Sequence, residues 1–479
     1  MSLHGIPDGL VAVVKRDCPT CVMVEPVLRQ LAAAGTPISV LTQDDPAFPT
    51  GVPGVIDDTG LERSFELNIE TVPTLLRIEH GRETTRAVGW HRGEWEGLTG
   101  IRALGVDLPD QRPGCGSLTT DPNTADELAI RLGGVTFESE KVEIGGYEDE
   151  QEACFDRDWS DGLPVVPPTA VRVYRMLQGT RRDPKEILGL MPPDYEPCTV
   201  EKVAANAVMA GCRPEYMPVV IAAVEAVLDE PFSIHAVVAT TMFVGPIVIV
   251  NGPVRKTLGM NSGVNALGQG NRANSTIGRA LQLVVRNVGG GKPGGVDRST
   301  LGTPGKLGFC FAENEEDSCW EPLSVERGVA PGTSAVTLFA GAGVRGIVDQ
   351  TSRTPESLAR SFAACLNGTL HPKLFGGLDS IVVISPEHLR VFREAGWSKR
   401  RFIAELMDLT TVPVEDIAIG VGGMTPGMPP REPGAKVAKF RQDGLYVVHA
   451  GGIAGMFSAI LDGWSPSSSS RITTRVVRD

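Results

Sequence analysis

The most restrictive feature of the chain lies near its start. An uninterrupted apolar run at 10–14, Leu-Val-Ala-Val-Val, leads into Asp17-Cys18-Pro19-Thr20-Cys21, and a helical pattern over 22–34 then stops at Gly35. A continuous apolar run this short reads as a strand buried on both faces. The strand must therefore hand two cysteines to the mouth of a helix. There the helix dipole favours the thiolate, the reactive form of the side chain, and a second cysteine one turn later can resolve a mixed disulfide. The same spacing could supply half a zinc site, but no second Cys-x-x-Cys or nearby Cys/His pair in this region completes four ligands.

Residues 38–41 and 71–76 read as two further strands, with Pro73 where the latter should start. Residues 77–86 read as a hairpin turning at His80-Gly81, and 94–104 as a closing helix. The order strand, Cys-x-x-Cys, helix, with Val72-Pro73 further along, resembles the thioredoxin family over residues 1–105. The resemblance implies a thioredoxin-like fold in which Cys18 attacks, Cys21 resolves and Pro73 is a cis-proline facing them. The chain departs from the family in two places: Asp17 replaces a Trp, and Pro19-Thr20 replaces Gly-Pro. Asp17 is expected to raise the thiol pKa by like-charge repulsion. A degenerate module retained only for docking is the alternative reading.

A chain of 479 residues exceeds one ordinary domain. We expect a thioredoxin-like domain at 1–105, a linker or adaptor at 106–158, and a larger α/β domain with glycine-rich loops, carrying catalysis, at 159–479. A net charge of −13 argues against nucleic acid or acidic membrane as a partner. No apolar run approaches the ~20 residues of a membrane span. The opening Met1-Ser2-Leu3-His4-Gly5 lacks the pattern of a signal peptide, so the expected location is cytoplasmic. Nine scattered cysteines then read as free thiols, a few of them reactive.

Within 106–158, Cys115 stands between Gly114 and Gly116, where it is accessible and could be a substrate thiol for Cys18; a linker cysteine without a role is the alternative. Cys154 lies in an acidic stretch that disfavours a thiolate.

The large domain opens with a rigid, proline-bearing segment at 160–169, containing Asp161 and ending on Thr169 as the N-cap of a helix. Residues 234–241 and 246–250 read as strands. A segment dense in Gly and Asn follows, with Asn251, Asn265 and Asn271, and Asn274 or Ser275 caps a helix carrying Arg279 and Arg286. Small residues before a helix N-terminus can bind a phosphate or carboxylate. This is neither a Walker loop nor a good dinucleotide fingerprint, and no cofactor or metal is expected. A second glycine-rich run leads past Ser299 to Cys310, Glu313 and Asn314, a cysteine, carboxylate and amide that could form a catalytic set; a buried structural cysteine is the alternative. We expect 251–316 to line the principal pocket. His371, His388 and His449 are too far apart in sequence to propose a metal site. Residues 435–440 and 445–450 read as two strands joined by a hairpin at Gln442-Asp443-Gly444, and 467–470 as a flexible serine tip. The strings at 161–169, 304–316 and 451–464 resemble a recurrent bacterial family, a resemblance that carries over no activity and no catalytic residue.

The combined expectation is a thiol–disulfide oxidoreductase module fused to a thiol-dependent enzyme domain acting on a small, anionic substrate. Cys18, Cys21, Pro73, Cys310, Glu313 and Cys115 would carry the chemistry. Asp161, Asn251, Asn265, Asn271, Arg279, Ser299 and Asn314 would hold the substrate, and an external thiol would supply electrons. The competing expectations are a non-redox hydrolase or lyase with a docking module, and a redox-regulated binding protein.

Overall fold

The computed structural model describes residues 6–146, 148–429, 431–464 and 470–479. The opening pentapeptide and all but Ser470 of the expected serine tip lie outside them. The chain is mixed α/β and divides into two units, Met1–Phe137 and Glu138–Asp479. Residues 106–137, expected in a linker, thus belong to the first unit, and 138–158 to the second.

In the first unit, strands β1 (Gly9–Val14), β2 (Ile38–Thr42) and β3 (Val55–Asp57) run parallel. Past the short β4 (Thr71–Val72), β5 (Thr74–Glu79) and β6 (Arg82–Val88) add antiparallel, giving the order β3-β2-β1-β5-β6. The 10–14 run is buried throughout, as its lack of alternation requires. Val24, Leu28 and Leu31 of the helix Pro19–Ala33 share a core with it, as does Trp95 of the helix Arg92–Thr99. That second helix ends earlier than the sequence suggests, because Gly100 adopts φ 74° and terminates it. Two small antiparallel pairs then fasten the chain beyond residue 105. Trp90 of β7 (Trp90–His91) faces Arg112 of β8 (Gln111–Arg112), and Val72 of β4 faces Cys115 of β9 (Cys115–Gly116).

The second unit holds a hairpin, β10 (Ile187–Met191) with β11 (Glu196–Thr199), and a larger sheet. That sheet runs β13 (Cys310–Ala312), β12 (Gly245–Asn251), β14 (Ala335–Val348), β19 (Phe457–Gly463), β15 (Leu378–Ile384), β18 (Phe440–His449), and β20 (Thr473–Val476) pairs with β14. A separate pair joins β16 (Thr411–Pro413) to β17 (Lys436–Ala438). Three local expectations are corrected. The β-branched stretch from Ile234 forms a helix, Ile234–Ala239, because Ile234, Val237 and Val238 recur at helical spacing and all three are buried. Gln442-Asp443-Gly444 makes no hairpin: β18 is one strand, and these residues bulge between Phe440, opposite Leu378, and Leu445, opposite Ser380. The helix expected to be capped by Asn274 or Ser275 begins at Arg272, and its cap is Asn271, whose side chain accepts from the Asn274 amide at 3.1 Å.

Candidate active site

Cys18 occupies the N-cap of the helix Pro19–Ala33, with extended backbone and Pro19 in the first turn. Its sulfur accepts a 3.4 Å hydrogen bond from the Cys21 amide and lies 3.5 Å from the Val72 carbonyl. The Val72–Pro73 bond is cis. The Cys115 sulfur stands 2.7 Å from that of Cys18. Three cysteines therefore meet at the start of one helix, and one comes from the segment expected to be a linker.

The approach of Cys115 is built into the backbone. The β4–β9 pair sets it opposite Val72, and the Thr20 hydroxyl donates to the Pro113 carbonyl at 2.8 Å, tying the segment to the helix mouth. Gly114 permits this docking, since a side chain there would begin 2.6 Å from the Val72 carbonyl oxygen. Beyond the pair, the buried Gln43 side chain donates to the Ser117 hydroxyl at 2.7 Å and accepts from the Leu118 amide at 3.1 Å.

The thiols differ sharply in character. A hydrogen bond from the Cys21 thiol, with others from Cys115 and from the Cys21 and Thr20 amides, outweighs desolvation and brings the Cys18 thiol down to about 5. Cys21 is fully buried, and burial followed by its hydrogen bond to Cys18 pushes its pKa well up. Cys115 is half-buried and is also pushed up, first by desolvation and then by Cys18. Near neutral pH the arrangement is one thiolate held between two thiols. The repulsion expected from Asp17 does not govern the site: Asp17 is exposed to water, and its backbone amide, not its carboxylate, is what the structure uses, donating to Asp44 at 2.8 Å.

In the second unit the residues expected to bind an anion are engaged in hydrogen bonds within the protein. Asp161 receives two hydrogen bonds from Arg279, at 2.8 and 2.7 Å, and Arg279 also reaches the Leu163 and Pro164 carbonyls. Burial would raise the Asp161 carboxyl, but the guanidinium holds it below its ordinary value. Arg286 likewise binds the Ser160 carbonyl and pairs with Asp158. These arginines dock the 158–164 segment onto their helix. Ser299 receives a 2.8 Å hydrogen bond from Lys306, which also pairs with Asp297. Asn265 is exposed and donates to the Gln269 carbonyl at 2.8 Å. A water-sized cavity of about 10 Å³ in this unit is bounded by Phe339, Asp379, Trp464 and residues 470–472.

Cys310 and Glu313 do not form a set. Cys310 is buried, its thiol pushed up by desolvation, and it packs so tightly against Gly278 that a side chain there would begin 3.1 Å from its Cβ. Glu313 instead sits where the ends of β12, β13 and β18 converge. It accepts from the Asn251 side chain at 2.7 Å and the Leu323 amide at 2.9 Å, and the His449 amide lies at 3.5 Å. Burial raises its carboxyl. Asn314 donates to the His449 carbonyl through its amide and to Asp317 through its side chain. His449 donates from Nδ1 to the Ile384 carbonyl at 2.9 Å, while His449 Nε2 and Asn251 Oδ1 are buried without a hydrogen-bond partner among the described residues. His449 was not among the expected site residues, since its neighbours here come from strands far away in sequence.

Comparison with known proteins finds no family model and no curated protein that matches this chain. No helix among the described residues is long and apolar enough to cross a membrane.

Proposed function

We propose that the Met1–Phe137 unit is a thioredoxin-like thiol–disulfide oxidoreductase, with Cys18 as the attacking and Cys21 as the resolving thiol. The observation that carries this reading is the Cys18 sulfur at a helix N-cap, accepting from the amide of the buried Cys21 at 3.4 Å, a setting that favours its thiolate. The Cys18 sulfur attacks one sulfur of a substrate disulfide, forming a mixed disulfide and releasing the other half as a thiolate. Cys21 then loses its proton and attacks Cys18, which frees the reduced substrate and leaves a Cys18–Cys21 disulfide. Two electrons pass to the substrate, and two external thiols restore the dithiol and leave as their disulfide. Catalysed reduction of oxidised glutathione by a dithiol reductant should require Cys18; full retention of turnover in Cys18→Ser would contradict the reading.

The Glu138–Asp479 unit is, in this proposal, a thiol-dependent enzyme domain for a small, anionic substrate in the cytoplasm. Covalent joining raises the local concentration of the dithiol to about millimolar, which favours a partner that consumes reducing equivalents. A non-redox hydrolase or lyase is the second reading. It is favoured by the buried Asn251 side chain, which donates to Glu313 and whose Oδ1 has no hydrogen-bond partner among the described residues, leaving accepting capacity for a ligand. Activity of this unit that survives Cys18→Ser would select the second reading.

A further inference from the structure

We propose that Cys115 is a third redox thiol of the Cys18 site, forming a Cys18–Cys115 disulfide that serves as the port through which external thiols exchange electrons with the module. The inference rests on the thiol-exchange reading above and names the internal partner of the same site.

The geometry has three independent supports. The sulfurs stand 2.7 Å apart, close enough that small motions of two side chains reach the ~2.05 Å of a bond. The backbone that carries Cys115 is held in register by the β4–β9 pair and by the Thr20–Pro113 hydrogen bond, so the approach does not depend on a wandering loop. Exposure also differs in the required sense: Cys18 is 1% and Cys21 0% exposed, whereas Cys115 is half-buried. A reductant arriving from solvent meets Cys115 first.

The exchange balances without an added oxidant once the Cys18–Cys21 disulfide exists. Cys115 gives its proton to solvent and its sulfur attacks Cys18 Sγ. The Cys18–Cys21 bond breaks, and the Cys21 sulfur takes up a proton. One disulfide replaces another, with no net change in electrons. An external thiolate then attacks Cys115 Sγ and expels Cys18. Cys18 is the better leaving group of the pair because its thiolate is the stabilised one, at about 5. A second external thiol resolves the mixed disulfide on Cys115, so two thiols supply two electrons and leave as their disulfide.

The test uses the full chain carrying Cys21→Ser, reduced and then treated with oxidised glutathione, quenched in acid, alkylated and peptide-mapped. Cys21→Ala repeats it with an apolar residue at the buried position, and circular dichroism checks that each variant is folded. The expected major product is an intramolecular Cys18–Cys115 cross-link, at least about tenfold over glutathionylated Cys18. Glutathionylated Cys18 with Cys115 still free to alkylate, in both variants, overturns the inference. Cys115→Ser separates this failure from that of the parent reading. If it forms a Cys18–Cys21 disulfide, thiol exchange stands and only the role of Cys115 falls. If Cys18 stays unmodified in every variant, both fall.

Discussion

Val72 and Cys115 face each other across a short antiparallel pair, and the Val72 carbonyl also lies 3.5 Å from the Cys18 sulfur. One backbone position thus aligns the attacking thiol and the segment that covers it. The face of the first unit that an incoming disulfide must reach is occupied by the chain itself.

Gly114 is the hinge of that occupation. Gly114→Ala places a methyl group against Thr71 and the Val72 carbonyl and should push β9 off β4. Alkylation of Cys18 should then accelerate several-fold, while yield of the Cys18–Cys115 cross-link falls. An unchanged alkylation rate would show that the segment does not limit access.

The reduced protein should show a specific pH dependence. The Cys18 pKa is lowered on folding to about 5, so the stability it contributes is present above the ordinary thiol pKa and is lost as pH falls through about 5. The stability difference between the reduced wild type and Cys18→Ser should therefore shrink between about pH 8 and pH 5. Ultraviolet thiolate absorbance should disappear over the lower end of the same range. A transition near the ordinary thiol pKa would contradict the assigned hydrogen bonds.

Asp161 and Arg279 should behave as a docking pair. Their side chains are only 10% and 15% exposed, and removing one leaves the other charge partly buried and unpaired. Arg279→Ala should cost roughly 2–3 kcal/mol of stability. Asp161→Asn, which keeps one acceptor, should cost less. A thermal midpoint unchanged in Arg279→Ala would return Arg279 to the role of a free anion ligand.

Much of the first unit is legible in the sequence because its signals are local. The run at 10–14, the two cysteines at a helix start and the hairpin at His80-Gly81 each lie within a few residues. Cys115 was readable as an accessible thiol between glycines, but its register against Val72 depends on pairing across distant segments. In the second unit the failures share this cause. Asn251, Glu313 and His449 meet only through sheet order, and Asp161 finds Arg279 across 118 residues. The helix at Ile234–Ala239 shows tertiary burial overriding β-propensity, and the bulge at 442–444 shows a turn signal absorbed within a strand.

Native alkylation should sort the remaining cysteines by burial. Cys319 is exposed and should label in the folded protein, whereas Cys198, Cys212 and Cys310 are buried with thiols pushed up by desolvation and should label only on unfolding. Rapid labelling of native Cys310 would reinstate it as a candidate nucleophile.

The central claim is that Cys18 exchanges disulfides reversibly. The direct measurement is a redox titration of the full chain in mixtures of reduced and oxidised glutathione, with acid quenching, alkylation and peptide mapping at each ratio. The account predicts a reversible loss of two hydrogens confined to Cys18, Cys21 and Cys115, with Cys18 in every internal disulfide. Cys18 fully alkylated at all ratios, or zinc bound stoichiometrically at Cys18 and Cys21, would contradict it.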